Sequence, residues 1–383
     1  MKKKVNTIFI IILILFILPF YVFFITSQND SSILENRTLV KHEMFNLGKF
    51  WNSEYQSNLE SALGDQMLLQ EPIKKRLLIT RQKMVAFLNK IIFSFSNNSK
   101  KYYVAIGNDM YVLNEDDYII SKPKFSNINK KSFAFFNNIN LEDKYLYYIE
   151  SDSSVNFVLN NSGKYYNYIS SNLNVKASDK LSVPNYNTYK NYYYKTDHHW
   201  NRNAHYKAYL SIAKLLKYQP IIKDIGDKEY NVFFNGSKAR SSARFDINEK
   251  FKVNVYNDYK KGTIYINGEE GSYGDKKKYD LGKYENEYLT NHYGLYYGGD
   301  YPEIVFDLKD DSKENLLIIS NSYSNPINEL IASSFNKTFI LDLRSYDSID
   351  LNKYIEDNKI NKVLILGDIR LFGDSYFSRI KLK

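Results

Sequence analysis

The sequence has no cysteine anywhere in its 383 residues, which excludes disulfides and thiolate metal sites. Histidine and tryptophan are scarce, at five and two. Long basic runs are also missing. The formal net charge is +9, yet Lys276-Lys277-Lys278 is the longest cluster beyond the N-terminus. Lysines scattered among acids do not form the continuous basic stripe that a nucleic-acid partner needs, so none is expected. A basic surface beside an anionic envelope or membrane accounts for the charge. Tyrosine is abundant, at 36, and its rings can stack on sugars, although a compositional habit explains most of them equally well.

One long apolar run stands out, Ile8 to Ile25, interrupted by Pro19. About 20 such residues span a bilayer core. Lys2, Lys3 and Lys4 precede the run, and a positive flank stays in the cytoplasm. The expectation is a single-pass cell-membrane protein whose C-terminal domain is extracellular. Thr26-Ser27-Gln28-Asn29 lacks a small-x-small cleavage site, which favours an uncleaved anchor over a signal peptide. The expected organisation is a cytoplasmic stub and anchor at 1–26 and a juxtamembrane stalk with amphipathic helices at 27–98. The main domain follows at 99–383, with a β-rich, antiparallel insertion around 219–300.

Within the stalk, a short helix is expected over 47–63, broken by Gly64-Asp65-Gln66, and a longer one over 71–93 behind Pro72. Tyr102–Ile106 and Met110–Leu113 read as a hairpin, and Tyr145–Ile149 as a strand buried on both faces. Helices are expected at 163–172 and 202–217, the second capped by Asn201. In the last third the strands Leu316–Ser320, Phe339–Leu343 and Val363–Leu366 alternate with helices Pro326–Phe335 and Leu351–Asn358. That alternation implies an α/β fold with a parallel sheet covered on both faces. Ligands in such sheets sit beyond the carboxyl ends of the strands, where Ser322 falls.

The segment Thr196-Asp197-His198-His199-Trp200-Asn201 holds an acid, two of the five histidines and one of the two tryptophans. Much later, Leu316–Ser320 runs into Asn321-Ser322-Tyr323-Ser324. An acid, a base and a serine on a strand-end turn are the parts of a nucleophilic site, which is recognised by roles and not by chain order. In an extended loop, Asp197 and His199 share one face and His198 points away. Asp197 can then hold the His199 tautomer while the other ring nitrogen faces Ser322. Two alternatives stand beside this reading. Ser322 can simply cap the next helix, and His198 or His199 with His205 can hold a metal, although no third strong ligand is evident and no metal is expected. Tyr296-Tyr297-Gly298-Gly299 allows close backbone approach or a plain hairpin turn, making Gly298 a second candidate. Gly373-Asp374-Ser375 is read as a surface turn. Trp200 is expected to pack the loop.

These residues resemble the DHHW family, related to the SGNH-hydrolase-like O-acetylation proteins of alginate-type and cellulose-type polysaccharides. The shared Asp-x-His-Trp motif falls on Asp197, His199 and Trp200, and the late Ser-Tyr turn on Ser322 and Tyr323. Weaker matches are Glu35-Asn36-Arg37, Asp65-Gln66 and Asp342-Leu343-Arg344. Asn321 and Lys195 depart from the acidic or glycine residue and the arginine that relatives carry there. The resemblance implies an SGNH-like three-layer α/β/α domain with permuted motif order and a catalytic Ser322, His199 and Asp197. Asn321, Tyr323, Gly298 and Trp200 are candidates for the oxyanion or substrate site. It implies O-acetyltransferase or acetylesterase activity on a cell-surface exopolysaccharide, without a cofactor and beside a membrane-bound O-acyltransferase that supplies acetyl groups. A non-catalytic polysaccharide-binding or assembly scaffold is the alternative.

Overall fold

Strands buried on both faces need apolar side chains at every position, and the runs Tyr145–Ile149, Leu316–Ile319 and Val363–Leu366 supply them. In the computed structural model they lie inside one sheet. The structure describes residues 37–66, 102–105, 110–113, 117–121, 128–151, 164–242, 244–284, 290–374, 376, 377 and 380, with scattered positions before residue 90. The chain divides into two compact units. One comprises Met1–Ser99, Ala105–Asn108 and Ala239–Phe245; the other comprises Lys100–Val104, Asp109–Lys238 and Asp246–Lys383.

The larger unit is built on an eight-stranded sheet. In chain order its strands are β1 (Lys144–Ile149), β2 (Ala177–Leu181), β3 (Thr263–Ile266), β4 (Glu269–Glu270), β5 (Glu303–Asp307), β6 (Leu316–Ser320), β7 (Lys337–Leu341) and β8 (Lys362–Gly367). Their spatial order is β4-β3-β5-β7-β6-β8-β1-β2. The stretch from β7 to β2 is parallel, whereas β4, β3 and β5 run antiparallel along one side. Strand β6 is central. Its Ile318 is in register with Ile340 of β7 and Leu364 of β8.

Alternate residues of each strand feed two separate cores. Tyr145, Tyr147, Ile318, Leu364 and Leu366 face one side, with the helices α3 (Tyr186–Tyr192), α4 (Arg202–Leu216) and α6 (Asn328–Ala332). Leu146, Tyr148, Leu317, Ile319 and Ile365 face the other, with α1 (Lys130–Asn137), α2 (Lys164–Asn172) and α7 (Leu351–Asp357). Helix α4 follows its expected signals: the Asn201 side chain accepts from the Asn203 amide, and Lys217 closes the helix in the left-handed region.

The region expected as an antiparallel insertion divides in two. Asp224–Tyr230 pairs antiparallel with Phe251–Tyr256. Around this ribbon an aromatic core forms from Tyr194, Phe234, Phe251, Tyr279 and the tyrosines of α5 (His292–Tyr297). Strand β3 instead joins the central sheet, because Ile264 and Ile266 fall opposite Phe306 and Ile304 of β5. Short strand β2 and helix α3 have weak sequence patterns and were not anticipated. The expected hairpin strands are present as Tyr102–Ala105 and Met110–Leu113, neighbours in a three-stranded sheet with Ile119–Ser121.

In the smaller unit, two helices, Leu47–Trp51 and Glu54–Gln66, replace the single one expected. The second does not break at Gly64. Asp65 Oδ2 accepts from the Val40 amide at 2.9 Å and Gln66 Nε2 donates to the Val40 carbonyl at 3.0 Å, so the final turn is held in place. The expected 71–93 helix lies largely outside the described residues.

The single-pass membrane anchor is overturned. A spanning helix needs about 20 continuous apolar residues, and among the described residues no helix is long and apolar enough to cross a membrane. The run Ile8–Ile25 itself lies outside the described residues except at Ile14, Leu15 and Leu18.

Candidate active site

Asp197, His198 and His199 lie in the loop between α3 and α4. The ends of this loop are pinned by an antiparallel bridge between Tyr193 and Trp200 and by Asn201 N donating to Tyr192 O at 2.7 Å. Wholly buried Trp200 anchors it further, and its carbonyl hydrogen-bonds His205 Nε2 at 3.0 Å. Trp200 thus packs the loop as expected. Burial with only a backbone carbonyl for company pushes the His205 imidazole down to about 3, so it is neutral.

Within the loop Asp197 is 1% exposed. A carboxylate so deeply buried needs hydrogen bonds, and it has them. Oδ1 accepts from the His199 amide at 2.9 Å and lies 2.6 Å from His199 Nδ1; Oδ2 accepts from the Ser237 amide at 2.6 Å. On the other side of the imidazole, His199 Nε2 lies 2.8 Å from Ser322 Oγ. Ser322, Asp197 and His199 are therefore in one continuous hydrogen-bonded line, and Ser322 is half-buried at its outer end.

Ser322 sits just past β6, at the carboxyl end of the central parallel strand. The turn that carries it is tied down from several directions. Ser324 N donates to Asn321 O at 3.0 Å, Tyr323 N donates to Asn321 Oδ1 at 3.3 Å, and Ser320 Oγ meets Ser324 Oγ at 2.7 Å. Tyr323 is fully buried and its hydroxyl donates to the His198 carbonyl at 2.7 Å, linking the serine turn to the histidine loop. Asn321 Nδ2 donates to Asp368 Oδ1 at 3.1 Å. Asp368 follows β8 at the same sheet edge and also accepts from Ser151 Oγ at 2.7 Å and Arg370 Nε at 2.9 Å. The serine's helix-capping alternative loses ground, because helix α6 starts only at Asn328 and has no side-chain cap.

His198 departs from expectation. Residues 195–199 form bends, not an extended strand, so the two histidine rings do not oppose each other. Their centroids are 3.8 Å apart, and His198 Nδ1 lies 2.5 Å from Ser237 Oγ. Burial holds the His198 imidazole well below its ordinary value. Asp197, His198 and His199 also have donor atoms close enough together to share a cation, but Asp197 Oδ2, both His199 nitrogens and His198 Nδ1 are engaged in the bonds just described. His205 faces Trp200 and is not part of that group.

Gly298 lies at the end of α5 with φ of +93°; a Cβ there would meet the Tyr273 ring at 2.4 Å. Its carbonyl accepts from Asn325 Nδ2 at 3.2 Å. Close ring approach is thus what this glycine permits, and no hairpin forms. In the Gly373-Asp374-Ser375 segment, Gly373 bridges to Ile128 and Asp374 is an exposed turn residue; Ser375 lies outside the described residues.

Four contributors escaped the sequence reading. Gly236 and Ser237 line Asp197, Glu249 supports the loop before it, and Tyr293 stacks on His199. Glu249 Oε1 accepts from Lys195 N at 2.5 Å, and Oε2 accepts from Thr196 N at 2.9 Å and Thr196 Oγ1 at 2.5 Å. No motif marks these residues, since each reaches the site only through tertiary packing. An Asn-Gly-Ser triplet at 235–237 was the only local hint.

A serine, a histidine and an aspartate thus lie in a hydrogen-bonded line at the carboxyl edge of a mostly parallel sheet in an α/β fold, a geometry in which an imidazole can take a proton from a hydroxyl. The chain shares its fold with a DHHW family protein from Eubacterium siraeum DSM 15702, at a TM-score of 0.56 and 15% identity, covering 73% of this chain and 97% of that one. It also shares it with Bacillus cereus PatB1 bearing a sulfonyl adduct, at 0.53 and 22%, covering 72% and 100%. The suspected DHHW relationship thus has its counterpart in the fold. No protein-family model and no curated protein matches the sequence.

Proposed function

We propose that this protein is an SGNH-like O-acetyltransferase or acetylesterase acting on polysaccharide through an acyl-enzyme on Ser322. The observation that carries the reading is the line Asp197 to His199 to Ser322, at 2.6 and 2.8 Å. His199 Nε2 takes the Ser322 proton as Oγ attacks the ester carbonyl, and Asp197 fixes the tautomer and stabilises the imidazolium. The tetrahedral intermediate then collapses, the alcohol leaves with the proton from His199, and the acetyl group remains on Oγ. Water or a sugar hydroxyl, deprotonated by the same Nε2, releases it. The oxyanion forms beside the Asn321–Ser324 turn, with Asn321 setting the turn's shape through Asp368. The fold shared with PatB1 supports the reading, and so does the sulfonyl adduct on that protein. An acetyl ester made by a separate membrane-bound O-acyltransferase would serve as donor.

The test uses the full chain, an activated acetyl ester and intact-mass detection. An acetyl adduct is expected on the parent and not on Ser322→Ala, together with Ser322-specific labelling by a sulfonyl fluoride. Absence of both from folded protein would favour a non-catalytic glycan-binding scaffold.

A further inference from the structure

His199 has two nitrogens occupied and two ring faces still to be accounted for. One flat neighbour is Tyr293, the second residue of α5. Its ring lies parallel to the imidazole, 3.9 Å between centroids and 8° between planes. Tyr323 meets the imidazole edge-on at 5.3 Å, and the His198 ring is tilted at 37°. Of these neighbours only Tyr293 is close to parallel. It is 2% exposed, and its hydroxyl has no hydrogen-bond partner among the described residues. A buried phenol with an unpartnered hydroxyl costs free energy, so the position is not explained by its oxygen. It is explained by the ring face.

The placement is also built. Asn291 caps α5 through the Gly294 amide, and His292 Nδ1 meets Tyr279 Oη at 2.7 Å inside the aromatic core of the β-ribbon region. The ring of Tyr293 packs on Tyr297 at 5.0 Å and on Tyr194 at 6.3 Å. The region that looked like an insertion therefore ends by laying one aromatic face on the imidazole.

We infer that Tyr293 is a positioning residue for His199: its ring fixes the plane of the imidazole and its π face stabilises the imidazolium that forms whenever His199 holds the Ser322 proton. The inference rests on the serine reading above. The aromatic face attracts a cation, and the effect grows where water is excluded. Other charged or titratable groups bearing on His199 are Asp197 at Nδ1, the neutral His198 and His205 imidazoles, and the Tyr323 phenol. Arg370 and Lys238 act on the neighbouring His198. None of these is altered by substituting Tyr293.

The experiment compares the full-length parent with Tyr293→Phe, which keeps the face, and Tyr293→Leu, which keeps the site apolar but is smaller and has no face. The first readout needs no substrate: NMR titration of the His199 ring nitrogens. The midpoint in Tyr293→Leu is expected about half a unit below that in Tyr293→Phe, as loss of a cation–π contact requires. The second readout is the rate of Ser322 labelling by a sulfonyl fluoride against pH. Tyr293→Leu is expected to label about threefold more slowly, with its acid limb moved to lower pH, while Tyr293→Phe follows the parent. Equal midpoints and equal labelling in Leu and Phe variants, with folding confirmed by circular dichroism, would overturn the inference. So would a Phe variant as impaired as Leu, which would assign the effect to the hydroxyl. Failure of the parent itself to label at Ser322 would sink the serine reading instead, and the titration would still decide the stacking.

Discussion

Asp197 is gripped so closely that its neighbours have almost no choice of side chain. A Cβ on Gly236 would lie 2.3 Å from Asp197 Cβ and 2.5 Å from both Asp197 Cα and Thr196 O. Two of those three atoms belong to backbone, so nothing flexible can yield. Gly236→Ala must displace the acid, the Ser237 amide that bonds it, or both. A misplacement on the 1 Å scale costs on the order of a hundredfold in rate, and that loss of turnover is expected here with a lowered melting temperature. Asp197→Asn keeps the shape but presents the wrong partner to His199 Nδ1. It should lower turnover by on the order of ten-thousandfold while leaving the fold intact. Thermal melts set beside steady-state rates register the supports as well, since Asp197→Asn also loses one of the two accepting oxygens that hold the His199 and Ser237 amides, and both variants should melt lower than the parent. At this scale the sequence was generous with the candidate site residues and silent about their supports. Asp197 and His199 stood out because an acid, two of the five histidines and one of the two tryptophans fall within six residues, and Ser322 because an apolar strand runs straight into its turn. Gly236, Ser237, Glu249 and Tyr293 are ordinary residues whose roles come from packing against a loop distant in the chain.

Strand β6 is the element that aims Ser322, and it is buried at every position. Ile318 sits in the middle of it, unexposed, with β7 and β8 on either side. Ile318→Ala leaves a cavity that close-packed neighbours cannot fill, and a loss of about 2–5 kcal/mol is expected by denaturant unfolding. Its effect on Ser322 labelling at temperatures well below the melt should be much smaller. The reason is that Tyr323, Asn321 and Ser324 hold the serine turn from outside the strand. The elements easiest to read in the sequence were those with unbroken apolar runs, β1, β6 and β8, and those with clean helical spacing and a cap, α4 above all. Strand β2, Ala-Ser-Asp-Lys-Leu, carries three polar residues and lies at the sheet's edge, where one-sided burial suffices, so its pattern was weak. Strand β3 falls within the region expected as a separate antiparallel insertion but belongs to the central sheet, because pairing with β5 is decided by contacts across the fold. Helix α5 was missed for a different reason. Its Tyr-Tyr-Gly-Gly ending looks like a turn, and only the helix cap at Gly298 shows that the turn closes a helix.

At the scale of the whole molecule, Glu249 on one side and His198 and His205 on the other give the stability opposing dependences on pH. Glu249 is half-buried. Burial chiefly raises its carboxyl from 4.5 to about 7, against the three hydrogen bonds from Lys195 and Thr196 that lower it. Between pH 4.5 and 7 the unfolded chain has lost this proton and the native state has kept it. Native stability from this group therefore falls as pH rises through that window. His205 works the other way. Its native imidazole stays neutral down to about 3, against 6.5 when unfolded. Between pH 6.5 and 3 the unfolded chain holds a proton that the native state refuses, so this contribution to stability falls as pH drops. His198, which burial also holds well below its ordinary value, adds a slope of the same sign as His205, and Glu249 opposes both where the windows overlap, from about 4.5 to 6.5, so that it flattens the parent's rise there. Glu249→Gln removes the first slope. Its melting temperature should then climb more steeply with pH across the overlap than the parent's, even if the lost acceptor lowers the curve as a whole. His205→Gln keeps a donor for the Trp200 carbonyl and removes one of the two histidine slopes, so its melting temperature should climb less with pH than the parent's over the same range. Calorimetric melts of the three proteins at half-unit pH steps decide the matter. Parallel curves for parent and Glu249→Gln would mean that Glu249 is already ionised in the native state at acid pH. In that case the clamp on Thr196, and through it on the Asp197 loop, is that of a carboxylate throughout, and the pH dependence of the site rests on its histidines alone.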